Sequence, residues 1–291
     1  MKTTVASAKP KHRRDRPAVR ALKYLIVLLA SAFACYPIWF AVLASGRLGD
    51  RLYTFNLLGM FVPTEWTFEN YRTMLFDKPF LTWLGNSVTV ATVTTALSLV
   101  ICTASAFALS RFKFRGRAFF LIFLMAIQTF PGLLSLVAIA QVLTAVGLYG
   151  QHFGLILAYT TGTLVFCTWN MKGYFDTIPI EIEEAAMMDG CGPLQAFIRV
   201  AIPMVLPAIA VTAILAFLSG WGDFVFASVL VPAPDAKKLA VPALYSMANS
   251  MSVPWGQFAA GATIVVVPTI IVFLLAQNLI QSGLTAGGVK G

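Results

Sequence analysis

Charge is what this sequence has least of. Of its 291 residues, 11% are charged and 58% are hydrophobic, whereas a soluble domain carries about 25% charged residues. Mean hydropathy is +0.80. These figures exclude an ordinary water-soluble globular domain and leave an integral membrane protein built mostly of spanning helix. Histidine is also scarce: His12 and His152 stand far apart without ligand companions, so no metal site is expected. The four cysteines (Cys35, Cys102, Cys167, Cys191) are widely spaced and form no C-x-x-C pair. They indicate neither a zinc site nor a disulfide framework and read as small buried hydrophobes. No G-x-x-x-x-G-K-[ST] run occurs, so no P-loop holds ATP, and no Ser/His/Asp arrangement suits acyl chemistry. The chain is expected to bind no cofactor of its own.

The charge that is present is clustered. Net charge is +9, and eight of the 21 Lys and Arg residues fall in the first 23 positions: Lys2, Lys9, Lys11, Arg13, Arg14, Arg16, Arg20 and Lys23. Arg111, Lys113, Arg115 and Arg117 form one short loop. Basic clusters beside apolar segments set membrane orientation, so nucleic acid is not an expected partner.

Six spans are predicted, at about 21–45, 84–109, 118–146, 152–171, 203–230 and 258–282. The first follows a basic head but is too long for a signal-peptide core and has no small-residue cleavage site after it; it should stay as a helix, kinked or tilted near Pro37. The third is long enough to tilt or break at Pro131-Gly132, and a tight polar turn at 147–151 joins it to the fourth. The 46–83 loop balances Arg47, Arg51, Arg72 and Lys78 against Asp50, Glu65, Glu69 and Asp77. Counting Lys and Arg puts the head, the 110–117 loop, the 172–202 loop and both termini in the cytoplasm. The 46–83, 147–151 and 231–257 segments then lie outside. The organisation expected is a basic cytoplasmic segment 1–20, a six-span domain 21–283 and a cytoplasmic tail 284–291. The 231–257 loop holds Pro232, Pro234, Pro242 and Pro254 and reads either as a re-entrant or partner-contacting loop or as a plain connector.

One stretch between spans four and five stands out: EIEEAAMMDGCGPLQAFIRVAIP, 181–203. Glu181, Glu183, Glu184 and Asp189 fall within nine residues. Pro179 suits a first helical position, and the acids then sit where the helix dipole favours negative charge. Gly190 suits a left-handed position just past the helix end. Gly192-Pro193 turns the chain into a second helix over 194–202, giving a helix–turn–helix (within loop 176–203) parallel to the membrane. Ala185 and Ala186 permit close approach, Met187 and Met188 are adaptable apolar contacts, and Leu194 and Phe197 add an apolar face. The competing reading packs these apolar residues onto the chain's own spans and leaves the acids as a solvated face.

The spacing Glu184-Ala185-Ala186, three residues, Gly190, nine residues, then Val200-Ala201-Ile202-Pro203 resembles the EAA motif of ABC importer permeases. Val200 and Ile202 replace the usual Ile and Leu. Leu109-Ser110-Arg111-Phe112-Lys113-Phe114-Arg115-Gly116-Arg117 is similar to that family's A-R-F-R-F-P-G-R loop, with Arg115 where Pro is common. Asn86-Ser87 resembles its N-S, and Trp221-Gly222-Asp223-Phe224 its W-N-E-F. Gln128-Thr129-Phe130-Pro131, Lys172-Gly173-Tyr174-Phe175 and the tail from Gly283 to Gly291 look like the carbohydrate subgroup of MalG type. The resemblance covers about 20–291.

It implies an all-α membrane protein with six transmembrane helices. In this reading the chain is one permease subunit of an ATP-driven sugar importer in the bacterial inner membrane. The implied sugar is maltose or a maltodextrin, or another di- or oligosaccharide such as trehalose. The implied partners are a second, MalF-like permease, a MalK-like ATPase homodimer that uses the ATP, an extracytoplasmic sugar-binding protein and membrane lipids. The EAA loop would dock in a cleft of the ATPase: Glu184 would pair with a basic group, while Ala185, Ala186 and Gly190 would allow close fit beside Glu183 and Asp189. The tail 284–291 would reach the ATPase interface, and Tyr245, Asn249 and Trp255 of the 231–257 loop would touch the binding protein.

Within the predicted spans Asp223 is the clear ionisable residue. It reads either as a pathway group or as a hydrated or capping acid near a span end. Gln128, Trp221, Tyr159, Trp169 and Asn170 are candidates to line a sugar path, against a reading as interfacial anchors and interhelical hydrogen bonds. An ion-coupled secondary transporter would show more ionisable groups in its spans. A membrane enzyme would show clustered catalytic groups.

Overall fold

The computed structural model describes residues 17–48, 58–63, 66–232 and 235–287, without the side chains of 235 and 281–287. Most of the basic head 1–20, Asp50, Arg51 and Glu65 of the 46–83 loop, Pro234, and residues 288–291 of the expected tail lie outside the described residues.

The described residues form helices and turns without a strand. In order they are α1 Pro17–Ser45, α2 Glu69–Arg72, α3 Phe80–Arg111, α4 Arg117–Thr129, α5 Gly132–Ala145, α6 His152–Phe175, α7 Glu181–Met188, α8 Pro193–Ala196, α9 Ile202–Met204, α10 Leu206–Trp221, α11 Val225–Leu230, α12 Ala240–Ala248 and α13 Trp255–Gly287. Helix is the form hydrocarbon selects, because each segment then satisfies its own backbone hydrogen bonds.

Among the described residues α1, α3 and α13 are long and apolar enough to cross a membrane on their own. Two bent pairs bring the number to as many as five: α4 with α5, turned by 99°, and Pro193–Met204 with α10, turned by 78°. Of the tilt or break expected at Pro131-Gly132, the chain has the break. The predicted fourth span is α6, whose 24 residues would reach about 36 Å at 1.5 Å per residue. It is not among those three, since Thr160, Thr161, Thr163, Thr168 and Asn170 dilute its apolarity. The predicted fifth span is not one helix: α10 ends at Trp221, and α11 starts afresh after Gly222-Asp223-Phe224.

α6 is central and packs on α3 and α10. A buried row on α3 (Ser87, Ala91, Thr94, Ser98, Cys102, Ala106) is made of small residues, which let neighbouring helices approach closely. A Cβ on Gly220 of α10 would lie 3.2 Å from Ala91 Cα. Polar side chains in this interface bond to one another: Ser98 and Thr163 hydroxyls lie 2.8 Å apart, and Asn170 Nδ2 donates to Thr212 Oγ1 at 2.8 Å. α1, by contrast, rests on α13 and exposes most of its apolar surface.

At one end of the bundle the 231–257 segment is packed down. Asn86 Nδ2 donates to the carbonyls of Ala236 and Lys238 at 3.0 and 2.9 Å, and Ser87 Oγ accepts from the Ala240 amide at 2.9 Å. Asn86-Ser87, in the second turn of α3, thus serves as a clamp. Ala243, Leu244 and Met247 of α12 are buried against Met74, Phe80 and Trp83. The short turn at 147–151 is built as foreseen: Gly147 has φ +73°, and the amides of Gly147 and Leu148 close back on the carbonyls of Thr144 and Leu143.

Filling the α3–α10 contact should be costly. Gly220→Leu is expected to destabilise the protein by about 1–3 kcal/mol through overpacking, read as a lower thermal midpoint in detergent. Gly85→Leu, where a Cβ meets nothing within 4 Å, should leave the midpoint unchanged.

Candidate functional site

The helix–turn–helix after α6 is present, with one shift at its start. α7 begins at Glu181, not at Pro179, whose carbonyl instead accepts from the Ile182 amide at 3.4 Å. Its end is as expected: Gly190 has φ +94°, and the amides of Gly190 and Cys191 bond back to the carbonyls of Met187 and Ala186. Only glycine adopts that conformation without steric cost. Gln195 Oε1 accepts from the Gly192 amide at 3.1 Å and opens the next helix.

Adjacent residues on a helix point about 100° apart, and this separates the two central acids. Glu183 is 4% exposed. Its Oε1 accepts from Arg111 Nε at 2.9 Å and lies 2.8 Å from Nη2. Arg111 also donates to the Ile178 carbonyl at 3.1 Å and to Ser110 Oγ at 3.2 Å. Ser110 in turn donates to Asp176 Oδ1 at 2.6 Å, and Lys172 Nζ holds Asp176 Oδ2 at 2.5 Å. Burial pushes the Asp176 carboxyl up, but hydrogen bonds from Lys172 and Ser110, with the charges of Lys172 and Arg117, outweigh it and leave the group below its ordinary range. Its contribution to stability is thus complete at neutral pH and disappears only as pH falls through that lowered value.

The other face of α7 is open. Glu184, Ala185, Asp189 and Gly190 are exposed and Ala186 is half-buried. Met188 is 88% exposed, and Leu194 of α8 is exposed as well. Phe197 faces inward instead, its ring centroid 4.5 Å from that of Phe107. Phe107 also packs edge-on against Phe175. Of the six candidate coupling residues, then, Glu184, Ala185, Asp189 and Gly190 are accessible, Ala186 is half-buried one turn on from Glu183, and Glu183 is turned into the protein. The sequence reading had Arg111 as an orientation charge only. The signal it missed was two adjacent glutamates, set about 100° apart around the helix so that each meets different neighbours.

The pathway candidates do not converge. Gln128 is exposed at the α4–α5 break, where a groove of about 480 Å³ is lined by Gln128, Phe130, Gly132, Ser135, Thr161 and Gly162 among others. Ser135 and Thr161 were not foreseen. Trp221 is buried: it stacks on Phe217 and donates from Nε1 to the Val265 carbonyl at 3.2 Å. Asp223 Oδ2 accepts from Tyr159 Oη at 2.8 Å and from the Ala227 amide at 3.1 Å, so it caps α11 and ties it to α6. At that same end Tyr245 and Asn249 are exposed and Trp255 is half-buried at the start of α13. Tyr245 packs 3.9 Å, centroid to centroid, from Phe224.

Residues 100–284 match the family described as the inner membrane component of binding-protein-dependent transport systems. The chain belongs to the binding-protein-dependent transport permeases. This permease is 33% identical over 269 residues to the maltodextrin transport system permease protein MdxG of Bacillus subtilis, covering 92% of this chain and 95% of that one. It is 35% identical over 306 residues to the maltose/maltodextrin permease MalG of Salmonella typhimurium, covering 99% and 100%. It is 32% identical over 272 residues to the galactooligosaccharide permease GanQ of Bacillus subtilis, covering 92% and 94%. A crystal structure of a bacterial ABC transporter that imports the acidic polysaccharide alginate shares the permease's fold, with a TM-score of 0.76 at 24% identity over 93% of this chain and 99% of that one. The permease is an all-α membrane protein and a permease subunit of an ABC sugar importer.

Asp223 can be tested as a cap. Asp223→Asn keeps an oxygen that accepts from both Tyr159 and Ala227 and should retain stability and uptake, whereas Asp223→Ala should cost about 1–3 kcal/mol by orphaning them. Thermal midpoints and uptake rates check this; an Asn variant that is stable but inactive would show that the charge itself is needed for transport.

Proposed function

We propose that this permease forms the translocation path of a maltose- or maltodextrin-class importer together with a second, MalF-like permease. A MalK-like ATPase homodimer drives it through α7, and an extracytoplasmic binding protein delivers the sugar to the opposite end. The observation that carries the coupling part is the open surface of α7 away from Glu183: Glu184, Ala185, Met187 and Met188, the last 88% exposed, left uncovered by the described residues of the chain. Small residues with flexible apolar neighbours suit a cleft that must be entered closely. In this arrangement α7, the 110–117 loop and both termini are cytoplasmic, while Tyr245, Asn249 and Trp255 face the binding protein. The cofactor of the cycle, ATP, stays on the ATPase.

Sugar preference follows from kinship. MdxG and MalG carry maltose and maltodextrin in their names, and GanQ supports galactooligosaccharides as the second reading. The groove at the α4–α5 break supports a path along that side, because its hydroxyl and amide groups (Gln128, Ser135, Thr161) match what a sugar needs and the helix around it is broken where a cavity tolerates it.

Two measurements test this. Glu184→Lys should weaken co-purification of the ATPase about 30-fold, as for an interface contact worth roughly 2 kcal/mol, and abolish ATP-driven uptake; unchanged assembly and uptake would refute the docking role. In cells carrying the whole system, maltotriose should compete for uptake of labelled maltose better than galactobiose does. The reverse order would favour the second reading.

A further inference from the structure

α7 rests on α8 and on the 197–201 segment that leads into α9 and α10. It has eight residues, too few to hold its own helical form in water. A turn at 176–180 joins it to α6, and Gly190 with its positive φ joins it to α8. Neither connection reaches α3. Yet Glu183 meets Arg111, the last residue of α3 and 72 positions earlier in the chain. The two side chains are 5% and 9% exposed. An arginine–carboxylate pair so withdrawn from water holds its geometry closely, because removing either partner strands a buried charge. Ser110 and Asp176 extend the tie to Lys172 on α6. Beneath them, Phe107 of α3 contacts Phe175 and Phe197, joining the end of α6 and the segment after α8 in the same apolar layer.

From these contacts we infer that Arg111–Glu183 is a force-bearing latch. It makes the docking helix and the ends of α3 and α6 move as one body, so a displacement imposed at Glu184 and Ala185 reaches those two helices as well as the 197–201 segment on which α7 rests. Glu183 is thus a positioning residue that does not touch the ATPase. Arg111 works inward, unlike the exposed Lys113 and Arg115 beside it. The inference rests on the coupling reading given above.

The test uses the assembled transporter in proteoliposomes, with its binding protein and sugar, measuring ATP hydrolysed and sugar taken up. Glu183→Gln, Glu183→Arg and Arg111→Glu should still co-purify with the ATPase, since the open face of α7 is untouched. Their uptake per ATP hydrolysed should fall at least about fivefold. Combining Arg111→Glu with Glu183→Arg should bring that ratio back to within about twofold of the original, and this decides the matter even where a single variant fails to accumulate. An unchanged ratio in the single variants overturns the latch, as does a double reversal no better than the singles. Single variants that lose the ATPase as fully as Glu184→Lys also overturn it, because Glu183 would then be a direct contact. If the underlying reading is wrong the outcome differs: the unmodified permease brings down no ATPase, and there is no ratio to measure.

Discussion

Hydrocarbon offers a polypeptide no partner for its polar groups, and the rest of this structure follows from that constraint. Backbone groups are satisfied within helices, and ionisable side chains are driven to the helix ends, where they pair with one another or with backbone. Arg111, Glu183, Asp176 and Lys172 gather at one end. Asp223, Lys237 and His152 are held by hydrogen bonds at the other. The two ends thus become built surfaces, and the bundle between them is held by close contact of small residues and a few shared hydroxyl bonds.

The same constraint explains where helices break. Pro131 and Gly222 interrupt segments that are apolar enough to continue, and each break sits beside a polar feature. The first flanks the groove with Gln128, Ser135 and Thr161; the second places Asp223 to cap α11 and bond Tyr159. Asp223 at this end is used to restart a helix.

Much of this was legible in the sequence, for reasons that can be named. Hydropathy gave membrane helices, and the glycines at 147 and 190 marked helix ends because their left-handed conformation is nearly theirs alone. Gly190 and Gly192-Pro193 marked the helix–turn–helix that follows α6. What was not legible depended on side chains distant in sequence. Glu183 resembled Glu184 until Arg111 came into contact with it. Trp221 suggested a sugar platform, but its ring is enclosed between Phe217 and α13. The predicted fifth span could not show its interruption from hydropathy, because α11 is as apolar as α10. The proline-rich 231–257 segment left a connector and a re-entrant loop equally open, until Asn86 and Ser87 were seen to pin it and α12 to pack beneath it.

The central claim is that energy enters through the exposed face of α7. Incorporating a photo-crosslinking amino acid in place of Met188, and separately in place of Tyr245, into the assembled transporter tests it directly. The account predicts a covalent adduct with the ATPase from position 188 and none from position 245; no ATPase adduct at 188, or one at 245, would contradict it.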